Sequence, residues 1–516
     1  MSICVVEKLS HGFGGRIIFE DVSFRLNKGE HIGLVGANGE GKSTFMKILT
    51  RNLIPDEGKI TWSNKVKVGY LDQHTVLEKG KSIRDVLKTA YDDLFVIEQE
   101  INDAYMKMCD CSEEEMNQLL EMIGESQDHL EHHDFYLIDA KVEEVARALG
   151  LTDLGLDSDV DELSGGQRTK ILLAKLLLEK PDILLLDEPT NYLDEQHIDW
   201  LKKYLLDYEN AFILISHDIP FLNEVVNVIY HVDAPKLTRY TGNYDEFKRV
   251  YEINQRQLEA AYNRQLKEIE RLEDFVARNK ARVATRGMAN SRAKKLEKME
   301  RIELKAEKPK PVFNFQMGKT TSKVIFDAQG LVIGYDEPLS KPMKLELERG
   351  KKIALTGANG LGKSTLLKSL LGIIPEIEGK VDLGENLQIG YFEQEVKESD
   401  KNCIDELWDE YPSMLQVEVR GALAKCGLTN QQIESKVKVL SGGEQAKLRL
   451  CKLIQKPCNV LILDEPTNHL DQDAKDELKR ALKEYPGTIL LVCHERDFYE
   501  DIVEEVWDMS QYSLKK

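Results

Sequence analysis

The sequence predicts two tandem α/β modules joined by a helical hairpin, with a helical arm inserted in the first module. Three observations carry this reading. Five sequence blocks recur in the same order along the 516 residues. In each copy an apolar, strand-like run leads through a glycine-rich loop into a helical run. Each copy also holds a second apolar run that stops in two carboxylates.

The repeat is explicit. "GLVGANGEGKST" at 33–44 returns as "ALTGANGLGKST" at 354–365, and "VGYLDQ" at 68–73 as "IGYFEQ" at 389–394. "LSGGQRTKILLAKLL" at 163–177 returns as "LSGGEQAKLRLCKLI" at 440–454. "ILLLDEPTNYLD" at 183–194 returns as "VLILDEPTNHLD" at 460–471, and "ILISHD" at 213–218 as "LLVCHE" at 490–495. Between the second and third blocks the offset falls from 321 to 277, so the first copy carries 44 extra residues there. The expected division is a first module at 1–239 with an arm at about 86–135, a charged linker at 240–308, and a second module at 309–516.

Bulk composition fits this division. A chain of this length needs more than one core. Hydrophobic residues make up 42% and charged residues 31%, a globular balance. No run of about 18 apolar residues exists, so no membrane span is expected. The opening "MSICVVEKLSHGFGG" has no basic stretch followed by an apolar one, so no secretory leader is expected. The eight cysteines are scattered, which suits free thiols in a reducing cytoplasm. The net charge of −20 argues against indiscriminate nucleic-acid binding by the whole surface, although a local basic site remains open.

Each glycine-rich loop fits GxxxxGK[ST] in strand–loop–helix context. Gly36, Asn38, Gly39, Gly41, Lys42, Ser43 and Thr44 form the first, and Gly357, Asn359, Gly360, Gly362, Lys363, Ser364 and Thr365 the second. Glycines let backbone N–H groups wrap phosphates, and the helix N-terminus favours the anion. Lys42 and Lys363 would reach the β- and γ-phosphates of ATP, and the Ser43 and Ser364 hydroxyls would ligate Mg²⁺. "ILLLDE" and "VLILDE" read as buried parallel strands ending in carboxylates. Ligands of open α/β sheets gather at such strand ends. Asp187 and Asp464 would hold the Mg²⁺ shell, and Glu188 and Glu465 would orient and activate the attacking water.

This set resembles the ATP-binding cassette ATPases, and both copies are complete. The resemblance implies further roles. Ser164, Gly165 and Gly166 in one copy, and Ser441, Gly442 and Gly443 in the other, match signature motifs that cap the γ-phosphate bound by the opposite copy. Gln73 and Gln394 match the glutamines that sense metal and water. His217 and His494 match the switch histidines. Asp194 and Asp471 match the loops joining the two sites. Phe13 and Tyr335 match the aromatic position that stacks on adenine. The second copy departs at Glu444, where the family carries Gln, and at "CHE" in place of "SHD". Neither change removes a phosphate-contacting group. The resemblance implies a monomer whose cassettes close head to tail on two ATPs.

The linker indicates the kind of cassette protein. Leu258, Tyr262, Leu266, Ile269, Leu272 and Val276 step by three or four residues along one helical face. Leu296, Met299 and Ile302 form a second stripe, which predicts an antiparallel hairpin with its tip near Gly287. Arg278, Lys280, Arg282, Arg286, Arg292, Lys294, Lys295 and Lys298 cluster at 278–298, and no acid lies within 276–295 to pair with them. Clustered cations on a local surface are the electrostatic footprint of nucleic acid. Few aromatics accompany them, so contacts to the shape and phosphates of structured RNA are expected.

Two cassettes, an arm and a charged linker together resemble the F family of cassette proteins, soluble ATPases that act on the ribosome. The resemblance covers nearly the whole chain. It implies occupancy of the ribosomal E site, a linker tip beside the P-site tRNA and rRNA of the peptidyl-transferase centre, and an arm at the L1 stalk. Some members protect ribosomes from antibiotics; the short tip here leans toward a housekeeping role. Two rival readings stay open: an ATP-binding subunit energising a transporter through separate membrane subunits, and a DNA-maintenance ATPase.

Overall fold

The computed structural model describes residues 2–514, apart from 14–15, 38, 65, 72–76, 78–79, 109–111, 192, 280–285, 303–309, 336, 394–398 and 469. The first cassette is built on a six-stranded sheet. Its order is Val68–Tyr70, Ile183–Asp187, Ala211–Ile215, His31–Val35, Val228–Asp233 and Lys236–Thr241. Neighbours run parallel except the last pair. The second cassette repeats this with five parallel strands, Ile389–Phe392, Val460–Asp464, Thr488–Val492, Lys352–Thr356 and Glu505–Asp508. A three-stranded antiparallel sheet accompanies each parallel sheet.

The strand Ile183–Asp187 shows why a continuous apolar run was required. Leu184 and Leu186 enter one core cluster, while Ile183 and Leu185 enter another on the opposite face. Successive side chains of a strand point to opposite faces, so a strand covered on both faces must be apolar throughout. Leu461 and Leu463, against Val460 and Ile462, divide in the same way in the second cassette.

The helices Asp92–Lys107 and Glu113–His132 lie in the extra stretch of the first copy and pack against each other. Ser112 starts the second of them with a reciprocal cap to Glu115. Leu94, Ile101, Ala104, Ile123 and Leu130 are buried in the first cassette's core cluster, so this pair is rooted in the cassette body. The rings of His132 and His133 donate to the Asp128 and His129 carbonyls of their own helix.

The linker's first helix runs Tyr244–Asn279, 36 residues, on the order of 50 Å of rise. Its partner Arg286–Glu297 has only 12 residues. Gly287 lies in the first turn of the returning helix. One expectation is corrected here. Met299 and Ile302 fall beyond that helix's end, so the second stripe is not one helical face. After Glu297 the chain continues back along the long helix as non-helical chain. Gln265 anchors it, donating to the Glu300 carbonyl at 2.8 Å and accepting from the Ile302 N–H at 2.8 Å. A short partner covers little of the stripe. Leu272 is buried, but Leu258 and Leu266 remain exposed.

Candidate active sites

Each phosphate loop joins a central strand to a short helix, Lys42–Leu49 or Lys363–Leu370. Gly41 and Gly362 cap these helices in the left-handed region, at φ 105° and 86°. A Cβ on Gly41 would come within 2.4 Å of Ile18 Cγ2, so both conformation and space demand glycine. The lysine behind each glycine curls over its own loop. Lys42 Nζ donates to the Gly36 and Ala37 carbonyls at 2.8 and 3.2 Å. Lys363 Nζ donates to the Gly357 and Ala358 carbonyls at 2.8 and 3.0 Å, and to Asn359 Oδ1 at 3.3 Å. Both ammonium groups are nearly buried, and burial lowers their pKa, that of Lys363 to about 8. Ser43 is exposed, Thr44 and Ser364 are half-buried, and Thr365 is buried, all in the first turns of these helices.

The strand ends hold a feature that no sequence pattern signalled. Glu188 and Glu465 adopt φ of 51° and 47°, a conformation that side chains other than glycine rarely take. Their backbone N–H groups donate across to the Ile215 and Val492 carbonyls, at 2.9 and 3.0 Å. Strain of this kind persists only where the surroundings fix it. Here it accompanies side chains turned toward the switch histidines. His217 Nε2 lies 3.5 Å from Glu188 Oε1, and the His217 N–H donates to Oε2 at 3.3 Å. His494 Nε2 lies 3.1 Å from Glu465 Oε1 and 3.0 Å from Lys363 Nζ. Asn468, which sequence reasoning missed although it recurs in both "DEPTN" blocks, donates to Glu465 Oε2 at 2.6 Å.

Asp464 is 1% exposed, and neither of its carboxylate oxygens has a hydrogen-bond partner at full geometry. Burial raises it to about 6, which the neighbouring Ser364 hydroxyl partly offsets. Asp187 closes the equivalent strand of the first cassette.

The cassettes face each other head to tail. A Cβ placed on Gly39 of the first loop would lie 3.3 Å from Glu444 Oε1 of the second signature. Asp471 of the second cassette acts electrostatically on Lys42, and Asp194 and Lys170 of the first act on Lys363. Asp194 and Asp471 each cap the helix that follows, accepting from the N–H groups of His197 and Ala474 at 3.2 and 3.0 Å. Ser164 and Ser441 cap the signature helices Gly165–Glu179 and Gly442–Gln455, whose first turns contain Gly166 and Gly443. Phe13 and Tyr335 are exposed, and the Phe13 ring packs edge to face with His11. Asn38, Gln73 and Gln394 lie outside the described residues, as do Lys280, Arg282 and the side chain of Arg286.

Three of the basic linker residues have partners within the hairpin. Arg278 pairs with Asp274 at 2.7 Å, and Lys295 pairs with Glu268 at 2.7 Å. The Arg292 guanidinium sits 3.5 Å above the Phe275 ring. The acids and the ring lie outside the strip or across the hairpin, so a search for acids within it could not find them. Lys294 and Lys298 are exposed.

Among the described residues no helix is long and apolar enough to cross a membrane. A family model described as "ABC transporter" matches residues 19–191 and 340–468, and a second with the same description matches 230–315. The chain is 66% identical over its full length to YfmM of Bacillus subtilis (strain 168), an ABC transporter ATP-binding protein covered over 100% of its length. It is 34% identical to ABC transporter F family member 2 of Arabidopsis thaliana, over 99% of this chain and 75% of that one. The fold is shared with an archaeal ribosome recycling factor solved with a ribosomal stalk protein, at TM-score 0.57 and 20% identity, over 97% of this chain and 87% of that one. The chain therefore belongs to the F family of ATP-binding cassette proteins and is an ATPase with two cassettes.

Proposed function

We propose that this ATPase binds the ribosome in its ATP-bound state and adjusts translation from the E site, beside the P-site tRNA. The carrying observation is a basic hairpin suspended between two facing cassettes in a chain of net charge −20. The acidic body discourages general RNA binding, and the hairpin confines attraction to one probe. Two neighbours in fold are described as a ribosome recycling factor and as part of a ribosome-bound assembly, which supports the same reading. The division into 1–239, 240–308 and 309–516, with the arm at about 86–135 reaching toward the L1 stalk, belongs to this proposal.

In each site the lysine of the phosphate loop would release its own loop carbonyls and take the β- and γ-phosphates. The serine that caps the opposite signature helix would close over the γ-phosphate. Glu188 and Glu465 would draw a proton from the attacking water, with His217 and His494 holding each glutamate and the phosphate in place. Asp187, Asp464, Ser43 and Ser364, with Gln73 and Gln394, would hold Mg²⁺, which neutralises phosphate charge. The buried, unpartnered carboxylate oxygens of Asp464 beside a serine hydroxyl fit a hard divalent cation. ATP binding would favour the closed arrangement of the cassettes and hydrolysis the open one.

The test is the ATPase rate with and without ribosomes for a variant carrying Arg282→Ala, Arg286→Ala, Lys294→Ala and Lys298→Ala. Stimulation by ribosomes should fall at least about fivefold while the basal rate holds. Equal loss of both rates would make the strip part of the ATPase fold. Copurification of the wild type with membrane proteins and without ribosomes would favour the transporter reading instead.

A further inference from the structure

The two signature helices are capped alike but differ in charge. In the first, Gln167 Oε1 accepts from the Ser164 N–H at 2.9 Å. In the second, Glu444 Oε2 accepts from the Ser441 N–H at 2.9 Å. Capping uses one oxygen, so a neutral amide serves as well as a carboxylate, as Gln167 demonstrates within the same chain. The other oxygen of Glu444 does something the first cassette has no equivalent for. It accepts from Gln432 Nε2 at 2.5 Å, while Gly155 stands at the position that corresponds to Gln432. The same oxygen faces the opposite cassette, 3.3 Å from the point a Cβ on Gly39 would occupy.

Gly39 belongs to a loop built to attract anions, with Lys42 and a helix N-terminus behind it. A carboxylate steered against that loop by a dedicated amide repels an incoming polyphosphate and competes for the same donors. On the other side, Lys170 of the first signature helix acts electrostatically on Lys363, the residue equivalent to Glu444 is the neutral Gln167, and a Cβ on Gly360 would meet nothing within 4 Å. We propose that Glu444 is a specificity-determining residue that weakens nucleotide binding at the first phosphate loop, so that the second loop fills first. The inference rests on the ATPase identity and is independent of any ribosomal role.

The experiment isolates each loop in the full chain. Lys363→Ala leaves the first loop to report, and Lys42→Ala leaves the second. A fluorescent ATP analogue with Mg²⁺ is titrated into each. Adding Glu444→Gln to the Lys363→Ala protein should tighten binding about tenfold, since a like charge is removed at a partly desolvated seam. Adding Gln167→Glu to the Lys42→Ala protein should weaken binding less than about threefold, because Gly155 supplies no amide to steer the new carboxylate. A gain in affinity cannot arise from misfolding, and Glu444→Gln keeps the cap. Unchanged or weaker binding by the Glu444→Gln protein would overturn the proposal and leave Glu444 a helix cap only.

Discussion

Glu188 and Glu465 end equivalent strands, share a left-handed backbone and face equivalent histidines, yet their surroundings push them in opposite directions. Burial and the neighbouring Asp187 raise Glu188 to about 8, against the pull of Lys42. Glu465 is also buried, but His494, Lys363 and Asn468 outweigh that burial and hold it below its usual range. The closer histidine, 3.1 against 3.5 Å, carries much of the contrast. Repeated sequence thus fixes the positions of the groups, while their surroundings hold Glu465 charged and favour the neutral form of Glu188. A general base must be charged to accept a proton, so we propose that the second site is the better prepared for hydrolysis.

The largest expected effect follows from this contrast. Glu465→Gln should lower steady-state phosphate release at least about tenfold, and Glu188→Gln less than about threefold. Equal losses would break the comparison. A smaller effect sharpens it. Asn468→Ala should slow turnover about fivefold by removing one hydrogen bond to a buried carboxylate. Measured in single-turnover mode with the first site inactivated, an unchanged rate would count against a role for Asn468. The smallest effect should be symmetric. Ser164→Ala and Ser441→Ala each remove one cap and should each cost about 1 kcal/mol in urea unfolding. A cost several times larger at one signature would reveal a difference between the cassettes beyond their glutamates.

Much of this was legible because it is written in contiguous residues. The phosphate loops, the strand-end carboxylates and the signature helices each need only a dozen neighbouring positions, and each occurs twice. Other features depend on residues far apart in the chain. Lys295 meets Glu268 across the hairpin, 27 residues away, and His494 meets Lys363 across 131. The positive φ of Glu188 and Glu465 carries no compositional mark, because the residue there is chosen for chemistry. Met299 and Ile302 keep a helical spacing past the helix's end at Glu297, because spacing alone does not mark where a helix stops, and the Gln265 contacts that hold this stretch come from across the hairpin.

Central to the proposed function is that ATP closes the two cassettes into a form that holds the ribosome until hydrolysis. The most direct measurement is cosedimentation of the Glu188→Gln, Glu465→Gln double variant with ribosomes, with and without ATP. The account predicts retention in the ribosomal pellet that requires ATP and withstands washing. Recovery no greater than that of the wild type without ATP would contradict it.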